Sequence, residues 1–307
     1  MTDGSSTPRP RSLAERLAGR GFVVTAELGP PAAPDAGAIR GAAAKLAPFV
    51  DAANVTDNQA ATVKMSALAS ATLMLEAGLD PILQMTARDR NLLGLQSDLL
   101  GAWALGVKTV MALSGDPLKV GPYEEIATHV RDVDSLGLTR TIASMNAGYM
   151  GAGEQLACPT GFLIAGAANP LLDSVERLEA KLAAGVGLLQ TNIVYDVERF
   201  AEWFAPLVAA GISARAPVLV GVTPPRSSAM LRFLHERIPG VEVDQVTFAK
   251  MENLEGEDAK EQGIRIASEA IATLRQVRGV AGVHLMAPGW EVEAIPRVVQ
   301  AAQLSDR

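Results

Sequence analysis

Residues Gln84 to Pro117, QMTARDRNLLGLQSDLLGAWALGVKTVMALSGDP, read as strand, helix and strand, with polar residues gathered where each strand ends. A strand buried on both faces is an almost unbroken apolar run, so Thr86-Ala87-Arg88-Asp89 and Ser114-Gly115-Asp116 mark the points at which the backbone leaves a sheet. In parallel α/β folds ligands bind at these carboxyl ends, so the two clusters are the first places to look for chemistry.

The same unit repeats on either side. Short runs rich in Val, Ile and Leu begin at Phe22 (FVVTAE), Asp51 (DAANVT), Pro81 (PILQMT), Lys108 (KTVMALS), Gly161 (GFLIAG), Val186 (VGLLQTNIVY), Pro217 (PVLVGV) and Gly282 (GVHLMAP). Stretches of helical period separate most of them: 62–77, 91–106, 174–185, 197–211 and 227–238. Gly78, Gly106, Gly185 and Gly211 each follow such a stretch, where a left-handed cap costs least. Eight alternations without a linker or a shift in composition fit a single closed (βα)8 TIM barrel over residues 13–307 better than an open doubly wound sheet. The long interval 117–160, between the fourth and fifth strands, is an insert carrying a short helix over 130–144. An acidic helix over 257–275 precedes the eighth strand and packs outside the barrel. Residues 1–12, polar and rich in Pro and Ser, are expected to be a disordered tail.

Composition narrows the class of function. With 307 residues, a net charge of −7 and no Lys/Arg block, the composition argues against a polyanion-binding surface, though not against a local pocket for one phosphate, so nucleic acid is not an expected partner. No run approaches the roughly 18 consecutive apolar residues of a membrane span, and the amino terminus lacks the apolar core of a secretory signal, which makes the cytoplasm the expected location. Cys158 is the lone cysteine, and His129, His235 and His284 lie far apart, so neither a disulfide framework nor metal-ligand spacing is present.

In a barrel, the strand exits converge on one cavity. Glu27 ends the first strand ahead of the rigid Leu28-Gly29-Pro30-Pro31, and a partly desolvated carboxyl there would have its pKa raised toward neutrality and serve as a general acid. A solvated Glu27, or one paired with Arg88 or Arg90, is the plainer alternative. Asp116 sits between a glycine that permits close backbone approach and Pro117, which biases it to extended backbone; an Asx turn is its structural reading. Asn54 to Asn58, Gln84 and Thr86 supply uncharged donors and acceptors suited to orienting flat heteroaromatic rings. In the sixth run Gln190 and Asn192 alternate onto one face and Thr191 onto the other, so two amides face inward or fill a barrel layer. Arg226, Ser227 and Ser228 open a helix after the seventh run, an arrangement suited to an anion or to simple capping. GxGxxG, GxxxxGK[ST], GxSxG and HExxH are absent.

The segments VTAELGPP, NVTDN, ARDRN with GLQSDLLGAWALGVK, SGDPLKVG, DVDSLGL, Asn169-Pro170 through RLEAKLAAG, YDVERF and SSAMLRFLHERIPG together resemble the methylenetetrahydrofolate reductase family, from about Phe22 to Val299. The likeness is to the form fused behind a homocysteine S-methyltransferase half in some bacterial proteins. It implies a (βα)8 barrel in which NAD(P)H reduces FAD, and reduced FAD passes hydride to 5,10-methylenetetrahydrofolate. On this resemblance Glu27 is the acid toward N10 of the folate, and Asp116 is the carboxylate that favours the cationic iminium. Thr56, Gln84, Thr86, Ser114, Gly115, Arg131, Asp132, Asn169, Arg177 and Lys181 lie on or beside flavin-contacting positions. Asn192, with Gln190 and Arg226, belongs to the folate side. Four departures from the family pattern are visible: Asn192 for the usual Gln, Gln84 and Arg131 for a histidine and a tyrosine, and a shortened loop around Asn169 that lacks its aromatic. They leave open a flavin-independent variant in which hydride passes directly from NADH to the folate. They also leave open a folate-binding subunit that needs a partner, with a homo-oligomer or a methyltransferase as the associated chain.

Overall fold

The computed structural model describes residues 10–19 and 21–304. Eight parallel strands follow one another in chain order around a closed barrel: β1 (Val23–Leu28), β2 (Ala52–Val55), β3 (Pro81–Thr86), β4 (Thr109–Leu113), β5 (Leu163–Ala168), β6 (Leu188–Ile193), β7 (Val218–Val222) and β8 (Val280–Leu285). The fold is therefore the (βα)8 TIM barrel expected from the eight apolar runs. Every residue of β2 and of β7 is buried, as strands covered on both faces must be. Of the tail expected over residues 1–12, residues 1–9 lie outside the described residues, as do residues 305–307 of the segment assigned to the barrel.

Tertiary contacts gather the chain into two compact units. Among the described residues, one combines 10–18 with Leu28–Ile164, and the other combines 19 and 21–27 with 165–304. The first unit carries α1 (Leu13–Ala18), α2 (Ala36–Leu46), α3 (Ala67–Glu76), α4 (Leu92–Leu105) and α5 (Ser135–Asn146). Asp35, Ser66, Asn91 and Asp134 each accept a first-turn N–H from its own helix, α2 to α5 respectively, so local side chains satisfy donors that have no intrahelical partner. The Ser66 cap explains why α3 starts at Ala67 rather than near Thr62, and the Asp134 cap sets the start of α5 within the 117–160 insert. Gly106 closes α4 at φ +102°, and its N–H returns to the Ala102 and Trp103 carbonyls. Helix α2 is not among the helices expected from sequence, because Gly37 and Gly41 dilute its period; Ile39, Ala43 and Leu46 nevertheless give it a buried stripe.

The second unit carries α6 (Val175–Ala183), α7 (Val197–Ala209), α8 (Ile212–Arg215), α9 (Ser228–Arg237), α10 (Gln245–Met251), α11 (Gly256–Leu274) and α12 (Glu291–Ala301). Phe200 and Phe204 of α7 are fully buried and stack with centroids 5.2 Å apart. Helix α11 turns Ile264, Ile266, Ile271 and Leu274 inward, while Glu257 and Glu261 meet Arg297 of α12. Among the described residues no helix is long and apolar enough to cross a membrane.

One buried charge site lies far from the strand exits. Asp80 precedes β3, is 2 % exposed, and accepts the Leu13 N–H at 2.7 Å. Burial pushes its carboxyl up to about 7 against the opposing effect of that hydrogen bond. A raised pKa means that the folded chain keeps a proton which the unfolded chain gives up. The stabilisation is therefore complete below about pH 4 and is lost as pH rises through about 7. Between pH 5 and 8 the urea-unfolding free energy should fall by ~2–3 kcal/mol more for the parent chain than for Asp80→Asn. Parallel pH curves for the two proteins would show that Asp80 is ionised in the fold.

Candidate functional site

In the first unit, the exits of β2, β3 and β4 are joined by an ion network. Asp57, just past β2 and 4 % exposed, accepts the Thr86 N–H at 2.9 Å and the Thr86 hydroxyl at 3.1 Å. It also receives both terminal nitrogens of Arg90, at 2.7 and 3.1 Å. Arg90 reaches Asp98 as well, through Nε at 2.9 Å. Arg88, 1 % exposed, pairs with Asp89 through Nε at 2.6 Å and Nη2 at 2.7 Å, and donates to the Asp116 carbonyl at 2.9 Å and the Asn58 carbonyl at 3.1 Å. For Asp89, burial pushes upward, but the bonds from Arg88 and Asn58 and the nearby positive charges outweigh it and hold the carboxyl below the ordinary range. The same partner raises the Arg88 pKa.

The other first-unit positions on the resemblance are arranged around this network. The exposed Asp116 carboxylate accepts the Ala60 N–H at 2.7 Å. Thr56 is buried behind β2, with its N–H on the Leu28 carbonyl at 3.3 Å. Gln84 and Thr86 share one face of β3, with Met111 and Leu113 as their β4 neighbours in register. Gly115 adopts φ +87°, and a Cβ there would lie 2.9 Å from Arg88 Cβ, so both conformation and space call for glycine. Ser114 Oγ accepts the Ser135 N–H at 3.0 Å, and Asp132 accepts the Leu92 N–H at 2.9 Å. Arg131 is exposed. A cavity of about 220 Å³ opens beside Asn58, Arg88, Asp89 and Tyr123.

In the second unit, Glu27 is the penultimate residue of β1, half-buried, and shares a face with the fully buried Thr25. Thr25 Oγ1 lies 3.0 Å from Nδ1 of His284, its register partner on β8. Burial pushes the His284 imidazole down to about 3, so it is neutral. Beyond β5, Asn169 N–H and Lys181 Nζ both reach Asp173, at 3.0 and 2.9 Å, and Arg177 Nε joins them at 3.0 Å. Lys181 also donates to the Ala167 carbonyl at 2.7 Å. Gln190 is buried in β6, where the register with β7 shifts between Gln190 and Ile193. The Asn192 amide beside that shift donates to the Pro239 carbonyl at 3.1 Å and accepts the Ile193 N–H at 2.8 Å. After β7, Arg226 is exposed, Ser227 caps Met230, and the Ser228 hydroxyl donates to the Met251 carbonyl at 2.6 Å. A cavity of about 370 Å³ is lined by Leu171, Ile193, Tyr195, Trp203 and Gly240.

The family model described as methylenetetrahydrofolate reductase matches residues 13–302. The chain belongs to the methylenetetrahydrofolate reductase family. Methylenetetrahydrofolate reductase 1 of Schizosaccharomyces pombe is 22% identical over 244 residues, which cover 74% of this chain and 36% of that protein. The chain thus spans about a third of the length of that curated relative. Among solved structures, an uncharacterized Clostridium thermocellum protein that binds two copies of 5-methyl-5,6,7,8-tetrahydrofolic acid superposes with a TM-score of 0.68 at 13% identity, covering 96% of this chain and 99% of that one. Apo-MsnO8 superposes with a TM-score of 0.53 at 11% identity, over 92% and 98% of the two chains. At these identities the two structures establish the fold alone.

Several residues at the exits escaped the sequence reading: Asp57 and the Arg88–Asp89–Arg90 run as an ion network, Asp173 as the shared partner of Arg177 and Lys181, and the Thr25–His284 pair. A signal was present in the first case. Both signs of charge alternate at the end of an apolar strand, where isolated charges could not stay buried. The clearest structural consequence concerns Asp57, whose loss deprives both terminal nitrogens of Arg90 of their carboxylate, leaving Asp98 on Nε, and takes the acceptor from the Thr86 N–H. Asp57→Ala should lower the urea-unfolding free energy by about 3–5 kcal/mol, the scale for removing one member of a buried pair. A loss below about 1 kcal/mol, the worth of an exposed pair, would mean that solvent already screens the site.

Proposed function

We propose that this chain reduces 5,10-methylenetetrahydrofolate to 5-methyltetrahydrofolate with electrons from NAD(P)H. The observation that carries this reading is the family match over residues 13–302 on a closed parallel barrel, with a carboxylic acid at the end of β1 and another just past β4. The folate-binding neighbour of the same fold agrees with it. In the proposed reaction Glu27 gives a proton to N10 as its bond to the methylene carbon breaks, leaving a cationic iminium at N5. The Asp116 carboxylate stabilises that cation, a hydride adds to the methylene carbon, and the nicotinamide leaves oxidised. One proton and one hydride are consumed for each methyl group made.

The residues expected around FAD suit an anionic dinucleotide in part. Two cations, Arg177 and Lys181, share the single carboxylate of Asp173, so one positive charge remains there for a phosphate, and Asn169 stands beside them. Bound FAD would supply a two-electron relay between the nicotinamide and the folate. Arg177, Lys181 and Asn169 would hold its phosphates, while Thr56, Gln84, Thr86, Ser114, Gly115, Arg131 and Asp132 would meet the rest. The flavin-independent alternative draws on a different observation: the Thr86 hydroxyl is committed to Asp57, and Ser114 Oγ accepts from Ser135. In either form Glu27 and Asp116 keep the same tasks, and Asn192, Gln190 and Arg226 belong to folate binding.

Purified chain should oxidise NAD(P)H steadily only when methylenetetrahydrofolate is present; a chain inert in that assay, with and without FAD, sinks the proposal. Flavin use is read separately from absorbance near 450 nm after incubation with FAD and gel filtration. Glu27→Gln should slow folate reduction by at least about a hundredfold, the usual scale of general acid catalysis, and spare NADH oxidation by an artificial acceptor. Equal losses in both assays would assign Glu27 another task.

A further inference from the structure

The Asp116 loop is held in a way that neither its sequence nor its proposed charge role requires. Asp116 is exposed and lies outside any regular element, yet two contacts fix it: its carbonyl accepts Arg88 Nη1 at 2.9 Å, and its carboxylate accepts the Ala60 N–H at 2.7 Å. Ala60 belongs to a segment in which Asn58, Ala60 and Ala61 all take positive φ, at 46°, 54° and 49°, a conformation that alanine rarely adopts without outside support. Arg88 supplies part of that support. Its Nη2 donates to the Asn58 carbonyl at 3.1 Å, so one buried guanidinium spans the loops after β2 and β4. Asp89 grips the same guanidinium through two bonds and fixes its plane, and the Asn58 side chain donates back to Asp89 at 3.1 Å. From the other side Gly121 presses on the segment, since a Cβ there would collide with the Ala60 and Ala61 carbonyls.

From this arrangement we infer that Arg88 is a positioning residue for Asp116: it holds the strained Asn58–Ala61 segment against the Asp116 loop, so that the Ala60 N–H fixes the carboxylate. The inference rests on the proposed role of Asp116 in the reaction. A planar fork with five donors can serve two carbonyls and a carboxylate together, and an ammonium cannot do so in that geometry. Arg88→Lys therefore keeps the charge and loses the bridge.

Two measurements test the idea. Amide hydrogen exchange at Ala60 reports the clamp without reference to any reaction. Arg88→Lys should lower the protection of that amide at least tenfold while leaving the amides of β3 and β4 unchanged; unchanged protection at Ala60 overturns the inference. The second is a double-mutant cycle on methylenetetrahydrofolate reduction. Arg88→Lys should reduce kcat about tenfold, with KM altered less than twofold, in the parent chain. In an Asp116→Asn background it should reduce kcat less than twofold, because a misplaced carboxylate matters only where a carboxylate is present. Equal fold losses in the two backgrounds overturn the inference. Should Arg88→Lys fail to fold, Asp89→Asn loosens the same guanidinium and is expected to show both effects more weakly; its failure in both assays counts equally against the inference. If the parent chain turns over no folate, the proposed function falls, and the Ala60 exchange measurement alone decides whether Arg88 sets Asp116.

Discussion

A parallel strand covered on both faces has no place for an unpaired charge, and that constraint organises everything else in this chain. Side chains with chemistry can appear only where a strand leaves the barrel wall, and where they do so without exposure they must arrive with partners. The exits of β2, β3 and β4 meet the condition with a near-neutral set: Asp57 against Arg90, and Asp89 against Arg88. The backbone contributes as much as the side chains. Thr86 N–H and the Asn58 and Asp116 carbonyls complete the coordination of these ions, so three loops are pinned to one another by groups that carry no formal charge.

The two aspartates that flank β3 show how far partners decide the outcome. Asp80, at the entry, is buried with its carboxyl accepting the Leu13 N–H, and burial drives that carboxyl toward the protonated form. Asp89, past the exit, is exposed as a residue although its side chain is partly covered, and a guanidinium and an amide keep it ionised. Burial alone therefore says little about charge at either end of the strand; the neighbouring donors settle it. His284 follows the same rule in reverse. With a threonine hydroxyl rather than a carboxylate beside Nδ1, full burial leaves it neutral.

Much of the fold was legible because strand composition and helix punctuation act locally. All eight apolar runs became strands, and Asn91, Ser174, Asp196 and Ser227 cap helices where the periodic stretches begin. Helix α2 was hidden by Gly37 and Gly41, which dilute its period, and α12 by Pro296 in its middle, although Ala294, Ile295, Val298 and Val299 give it a buried stripe. At the exits, residue types could be read but pairings could not. Nothing in one dimension tells Arg90 to choose Asp57, 33 positions away, or brings the amides of Asn169 and Asn192 to the Pro239 carbonyl, 70 and 47 positions on. The register shift within β6 is equally silent in sequence, and it interrupts the alternation expected for Gln190, Thr191 and Asn192.

The two acids proposed for the reaction stand on different kinds of support, and the difference bears on how such a site can be precise. Glu27 projects from within a strand, so the sheet itself fixes its Cα, and the rigid Pro30-Pro31 turn follows. Asp116 stands on an exposed loop, where a side chain normally samples several rotamers. A carboxylate that favours a developing cation acts by being in place before the charge forms, since reorganising at that moment would consume the benefit. A loop residue can do this only if its surroundings are rigid. At Asp116 the rigidity comes from a buried guanidinium and a segment held in left-handed backbone. That segment costs conformational energy and lies at the edge of the fold, where stability alone would favour relaxed backbone. The strain is intelligible if the orientation of Asp116 is what the loops after β2 and β4 are built to maintain.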